Sequence, residues 1–162
     1  MTEQISGEII HRGAWLGPDI QDSEGDWIYH LSAGSLADMD AALSHVQNAG
    51  LQAPFAKEDF PLTDCAAELE AIMSEVRGGL GFAVVRGIPR KKYSDEECTL
   101  LYWGLGVHIG RPVSQNDRGH LLGHVIDEKR SYDDPTARGY QTAQRMDFHC
   151  DLLPVDVLGL FC

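Results

Sequence analysis

The sequence predicts an α+β fold, and three observations carry that reading. Helical periodicity occupies the earlier part of the chain, an apolar run with two adjacent valines follows it, and extended-looking segments fill the last third. Helices therefore come first and strands later.

The elements follow in order. The first thirty or so residues, with "GAWLGPDI" and "GDWIYHL", set two tryptophans among turn formers and read as a short arm packing its aromatics on something larger. Ser35 is placed to N-cap a helix in which Leu36, Met39, Leu43 and Val46 share a face, and Gly50 is placed to end it. Thr63 is the candidate cap of a second helix. Cys65, Ala66, Leu69, Ile72, Met73 and Val76 recur there at helical spacing until Gly78 and Gly79 stop it. "LGFAVVRGIP" then reads as a buried strand closed by a turn.

Ser94 opens "SDEE", where Glu97 completes a capping box. Cys98, Leu101, Tyr102 and Leu105 form the apolar stripe of this third helix. Residues 111 to 119 read as a polar loop, "HLLGHVID" as a strand, and "EKRSYDDPTARG" as a second loop. "YQTAQRMDFHCD" and "VDVLGLFC" read as extended segments. There is no internal repeat and no low-complexity tract.

Composition narrows the function. With 162 residues there is room for one domain with a real core. Thirteen Lys and Arg against 25 Asp and Glu give a net charge of -12, which disfavours nucleic acid and anionic membrane surfaces. A small anionic substrate stays open, because one local Arg holds a carboxylate whatever the total charge. Cys65, Cys98, Cys150 and Cys162 form no C-x-x-C pair. "MTEQISGEII" lacks the basic and apolar regions of a secretory leader, and no apolar run approaches the roughly 20 residues of a membrane span. The expected compartment is a reducing cytoplasm with free thiols.

Several motifs have bland readings. "GGLGFAVVRG" has Val84 where the third glycine of G-x-G-x-x-G would fall, and its helix-then-strand order is reversed. "GLGVHIG" also follows a helix, so both are read as helix terminators. His120 and His124 lie in a strand-like segment, where they would stand about 13 Å apart at roughly 3.3 Å per residue. They are read as surface or loop histidines. His11, His30, His45 and His108 stand alone, and no G-x-S-x-G elbow supports a nucleophilic serine.

"FHCD" is different. On an extended strand His149 and Asp151 project from one face, with Cys150 turned away. An imidazole nitrogen and a carboxylate oxygen suit Fe(II), which the 2-His-1-carboxylate triad binds with open positions for a co-substrate and O₂. Alone, H-x-D is a weak signal, and an exposed strand end explains it as well.

Context changes the balance. "GFAVVRGIP", "YWGLGVHIGRPVSQN" and "RGYQTAQRMDFHCD" followed by "DVLGLFC" occur in this order and at these spacings. Together they resemble the taurine-dioxygenase-like (TauD/TfdA) family of Fe(II)/2-oxoglutarate oxygenases, nearest to bacterial and fungal members. The resemblance runs from about Leu62 to Cys162 and more loosely over the tryptophan-bearing arm. It implies Fe(II) as metal, 2-oxoglutarate as co-substrate, O₂ and a small organic metabolite as partners, and hydroxylation as the reaction. It matches His149 and Asp151 to the first two iron ligands. Cys150 departs from the small hydroxyl residue often found between them. Gln141 and Arg145, eight and four residues before His149, are placed to line the same cavity.

The implied fold is a double-stranded β-helix of jelly-roll type with N-terminal helices packed on it. In the family a second His ligand and an Arg for the far carboxylate of 2-oxoglutarate lie downstream of H-x-D. No His or Arg follows Asp151 here. The expectation is therefore the N-terminal part of such an enzyme, one incomplete domain over residues 1–162. Residues 1–61 would be the arm and first helix, and 62–162 the later helices and first barrel strands. The last strand would leave an open edge, so self-association through residues 155 to 162 is expected. Two other classes stay open: a non-catalytic binding module of this fold, and a simple metal-binding protein using His149, Asp151 and a thiol.

Overall fold

The computed structural model describes Gly7, residues 10–116, 118–131, Asp133, Thr142, Ala143, Arg145 and residues 155–162. The chain divides into two compact units, residues 1–111 with Cys162, and residues 112–161.

The first unit is built on three long helices, each touching the other two. The first of them, α2 (Ala33–Asn48), follows a single helical turn, α1 (Gly17–Ile20). Its cap is Ser32 rather than Ser35: the Ser32 hydroxyl accepts from the Ser35 N–H at 3.1 Å, and Ser35 is buried inside the first turn. A serine three residues earlier satisfies the same orphan N–H groups, so the cap moves and the apolar face does not. Met39, Leu43 and Val46 are buried as expected. At the other end Gly50 takes φ +63°, its N–H donates to Gln47 O at 3.0 Å, and Leu51 N–H donates to Val46 O at 3.1 Å. This is a complete Schellman closure, which needs the left-handed residue that glycine supplies.

The next helix, α3 (Asp64–Gly78), buries Cys65, Leu69, Ile72 and Met73 and ends at Gly79. Thr63 stands at its N-cap without a side-chain bond. Asp38 of α2 does that work instead, its Oδ2 accepting from Thr63 N at 2.5 Å and Cys65 N at 3.2 Å. The favour is returned: Glu68 of α3 accepts from the Ser32 N–H at 3.2 Å. Each helix start is satisfied by a carboxylate from the other helix.

The last helix, α4 (Asp95–Ile109), has the full Ser94–Glu97 capping box, at 3.2 Å and 2.8 Å. It is buried on more sides than one stripe requires, since Leu100, Trp103 and Gly104 join Cys98, Leu101 and Leu105 inside, while Tyr102 is only half-buried. Trp103 donates from Nε1 to Phe55 O at 2.8 Å and meets the Phe55 ring edge-on. Phe60, fully buried, packs on Gly104.

Two short strands, β1 (Ile28–His30) and β2 (Val84–Arg86), pair in parallel with Ile28 opposite Val84 and His30 opposite Arg86. Two expectations are corrected here. A strand precedes the helices, because residues of the arm pair with a segment over fifty positions away. And β2 is not buried, with Val84 and Val85 37% and 38% exposed. The arm's aromatics do pack as expected: Trp15 and Trp27 both tilt against Phe82, and Trp15 Nε1 donates to Leu80 O at 2.8 Å.

In the second unit the described residues carry no strand. "HLLGHVID", expected to be extended in a sheet, is irregular, and Asn116 organises a turn that ends at its first residue, Oδ1 accepting from Arg118 N at 3.0 Å and His120 N at 3.1 Å. Gln115 N donates to His120 O at 2.6 Å and closes it. Val125 and Ile126 are exposed. Residues 155–162 likewise form no strand, and Leu158 and Leu160 are open to solvent. A strand exists only where a partner ladder satisfies its backbone. The strand edge through which self-association was expected is therefore not formed among the described residues, and they do not support that association.

Candidate functional site

The residues expected to hold iron, His149 and Asp151, lie outside the described residues, as do Cys150 and Gln141. Arg145 is described and is exposed. Among the described residues no group of three or more His, Cys, Asp and Glu side chains is placed to hold a metal. His120 and His124 are exposed in irregular backbone, and His120 Nδ1 sits 3.0 Å from Asn116 Nδ2. They make the surface histidines expected of them.

The described polar groups instead tie the elements of the first unit together. Asp40 on α2 takes an ion pair from Lys92 and a 2.9 Å hydrogen bond from the Tyr93 hydroxyl. The Lys92 hydrogen bond, with that of Tyr93, holds the Asp40 carboxyl below its ordinary range against the effect of burial. Burial, with Asp40 beside it, pushes the Tyr93 phenol up to about 12. These shifts tie the loop before α4 to α2; they create no group poised for proton transfer near neutrality.

Cys65 is fully buried, and burial together with the Asp38 and Glu68 charges pushes its thiol up to about 11. Burial also raises the Cys98 thiol. Both are inert packing thiols rather than nucleophiles. Cys65, Cys98 and Cys162 are free.

His108, in the last turn of α4, was read as standing alone and is not. Its Nε2 lies 2.7 Å from Phe60 O. A carbonyl only accepts, so Nε2 is the nitrogen that donates. The other ring nitrogen, Nδ1, is buried without a partner among the described residues. No local signal marks the Phe60 contact, because it spans 48 positions. Asp38 and Asp40 were missed for the same reason: an acidic residue on a helix looks solvated until the segment it caps is in place.

Two open clefts occur in the first unit. One, of about 390 Å³, lies between the end of α2 and the start of α4 and is lined by Gln47, Leu51, Glu96 and Glu97 among others. The other, of about 250 Å³, lies on the β1–β2 sheet. Neither contains a residue expected from H-x-D chemistry.

Three long helices with a short parallel strand pair define the class of chain: an α+β protein. The family model described as "Taurine catabolism dioxygenase TauD, TfdA family" matches residues 47–162, and the chain belongs to that family. It is 26% identical over 164 residues to FR-33289 synthase of Streptomyces rubellomurinus, an alignment covering 100% of this chain and 48% of that protein. It is also 26% identical over 167 residues to a taurine hydroxylase-like protein of Stachybotrys chartarum, covering 98% of this chain and 43% of the relative. The chain spans about half the length of the curated relatives it matches. No helix among the described residues is long and apolar enough to cross a membrane.

Proposed function

We propose that this chain carries the first two metal ligands of a non-haem Fe(II)/2-oxoglutarate-dependent dioxygenase, His149 and Asp151. The observation that carries the reading is the family match over residues 47–162, which takes in this tripeptide. The donor set fits: a neutral imidazole nitrogen and a carboxylate oxygen suit Fe(II), and two ligands from one short segment leave positions for others. With 2-oxoglutarate, the bound metal supplies the oxidising power for hydroxylating a small organic metabolite. Gln141 and Arg145, eight and four residues before His149, are assigned to line the same cavity. The double-stranded β-helix and the single domain over residues 1–162 belong to this proposal, as does a cytoplasmic setting in which the thiols stay reduced.

The test is metal binding by the purified chain. Co(II), added without oxygen as a stand-in for Fe(II), should give a saturable visible absorption band. His149→Ala and Asp151→Ala should each abolish it. A band of equal strength in both variants would place the metal elsewhere and remove the assignment.

A further inference from the structure

His30 and Arg86 are register partners in the parallel β1–β2 pair. Partners in such a pair leave the same face of the sheet, and the residues two positions earlier share it. Ile28, His30, Val84 and Arg86 therefore stand on one face. The turn at Glu24–Asp26 stands beside that face, and the cleft of about 250 Å³ between them is lined by Glu24, Gly25, Ile28, His30 and Arg86. Ile28 is half-buried and gives the cleft an apolar floor.

The charge in this cleft is unusual for so acidic a chain. The ion pairs among the described residues involve Arg12, Arg77, Arg90, Lys92 and Lys129. Arg86 is in none of them, although Glu24 lines the same cleft, and the His30 ring makes no hydrogen bond among the described residues. A guanidinium fork and an imidazole ring are thus presented side by side over an apolar floor, with no ion pair or ring hydrogen bond among the described residues.

We propose that this cleft binds a small oxyanion, a carboxylate or a phosphate, gripped by Arg86 through two parallel N–H donors and by the His30 ring N–H. The planar guanidinium matches two oxygens of one carboxylate or phosphate, which an ammonium does not. The volume suits an anion of a few heavy atoms and is below that of drug-sized pockets. Glu24 tunes the site. Its carboxylate opposes any anion, and opposes a doubly charged phosphate more than a singly charged carboxylate. The proposal does not depend on the iron assignment.

The experiment is an amide-resolved NMR titration of the chain with sodium acetate and, separately, inorganic phosphate, each against sodium chloride at matched ionic strength. Saturable shifts at residues 28–30 and 84–86, with a Kd that is roughly millimolar, are expected from at least one oxyanion. Which one saturates identifies the chemistry. Arg86→Gln should weaken binding roughly tenfold or more, the loss of a charge-assisted pair. Glu24→Gln should tighten it. Because the exposed Arg86 side chain makes no ion pair among the described residues, the variant should keep the amide dispersion of the parent chain. Shifts no larger than those with chloride, or binding unchanged in Arg86→Gln, would overturn the proposal. So would an unchanged affinity in Glu24→Gln.

Discussion

Gly104 lies so close to the ring of Phe60 that a Cβ at that position would stand 2.4 Å from Cγ and 2.5 Å from Cδ1. Phe60 is fully buried and stacks on Phe55, so the ring has nowhere to go. Glycine in mid-helix usually costs about 1 kcal/mol relative to alanine. Here that cost is accepted because the missing methyl lets α4 approach the loop before α3.

Gly104→Ala should therefore destabilise the chain, by about 1–3 kcal/mol of overpacking that outweighs the gain in helix propensity. Urea denaturation followed by circular dichroism measures it. A midpoint equal to or above that of the parent chain would show that the ring yields.

Asp38→Ala should cost about 1–2 kcal/mol, the usual range for losing an N-cap acceptor. Asp38→Asn keeps an acceptor oxygen and should recover most of the loss. If both variants melt with the parent chain, solvent is capping α3 instead.

The pH dependence follows from Cys65 and Tyr93. Burial raises both, to about 11 and about 12, with the Asp38 and Glu68 charges adding to the first and the Asp40 bond and charge to the second. In each case the native state keeps a proton that the unfolded chain has released, so stability falls as pH rises. It should be fully present below the ordinary thiol value of 9.0 and decline from there through the two raised values. Asp40 has the opposite sign. Its carboxyl is lowered by Lys92, so its contribution is present above 3.8 and lost below it. Urea midpoints from pH 7 upward test the alkaline side, and Cys65→Ala should flatten the early part of the decline. An unchanged profile in that variant would assign the decline to other groups.

The helices were legible in the sequence because their signals are local. A capping box at Ser94 and Glu97, a glycine at position 50 and four apolar residues at helical spacing in α3 lie within reach of one another along the chain. What escaped the reading was set by distant partners. Gly104 looked like a terminator because nothing nearby in sequence names Phe60, and β1 looked like an arm because its partner is β2. "HLLGHVID" has strand-like composition, but composition supplies no ladder, and the Asn116 turn takes the backbone bonds of its first residue, His120. The H-x-D pair was found by spacing and by resemblance, and its geometry falls on residues 149 to 151, outside the described set.

The parallel register of β1 and β2 also bears on the order of folding. Ile28 meets Val84 only after α2 and α3 have been laid down between them, so the pair closes a long loop. That closure carries an entropic cost that three rungs cannot offset until the intervening helices have shortened the path. The reciprocal Asp38 and Glu68 caps join those two helices into one cooperative unit. The sheet should therefore form late, after the helical pair. Substitutions at Tyr29 or Val85 should then speed unfolding while leaving the refolding rate nearly unchanged, in contrast to substitutions at Met39 or Met73.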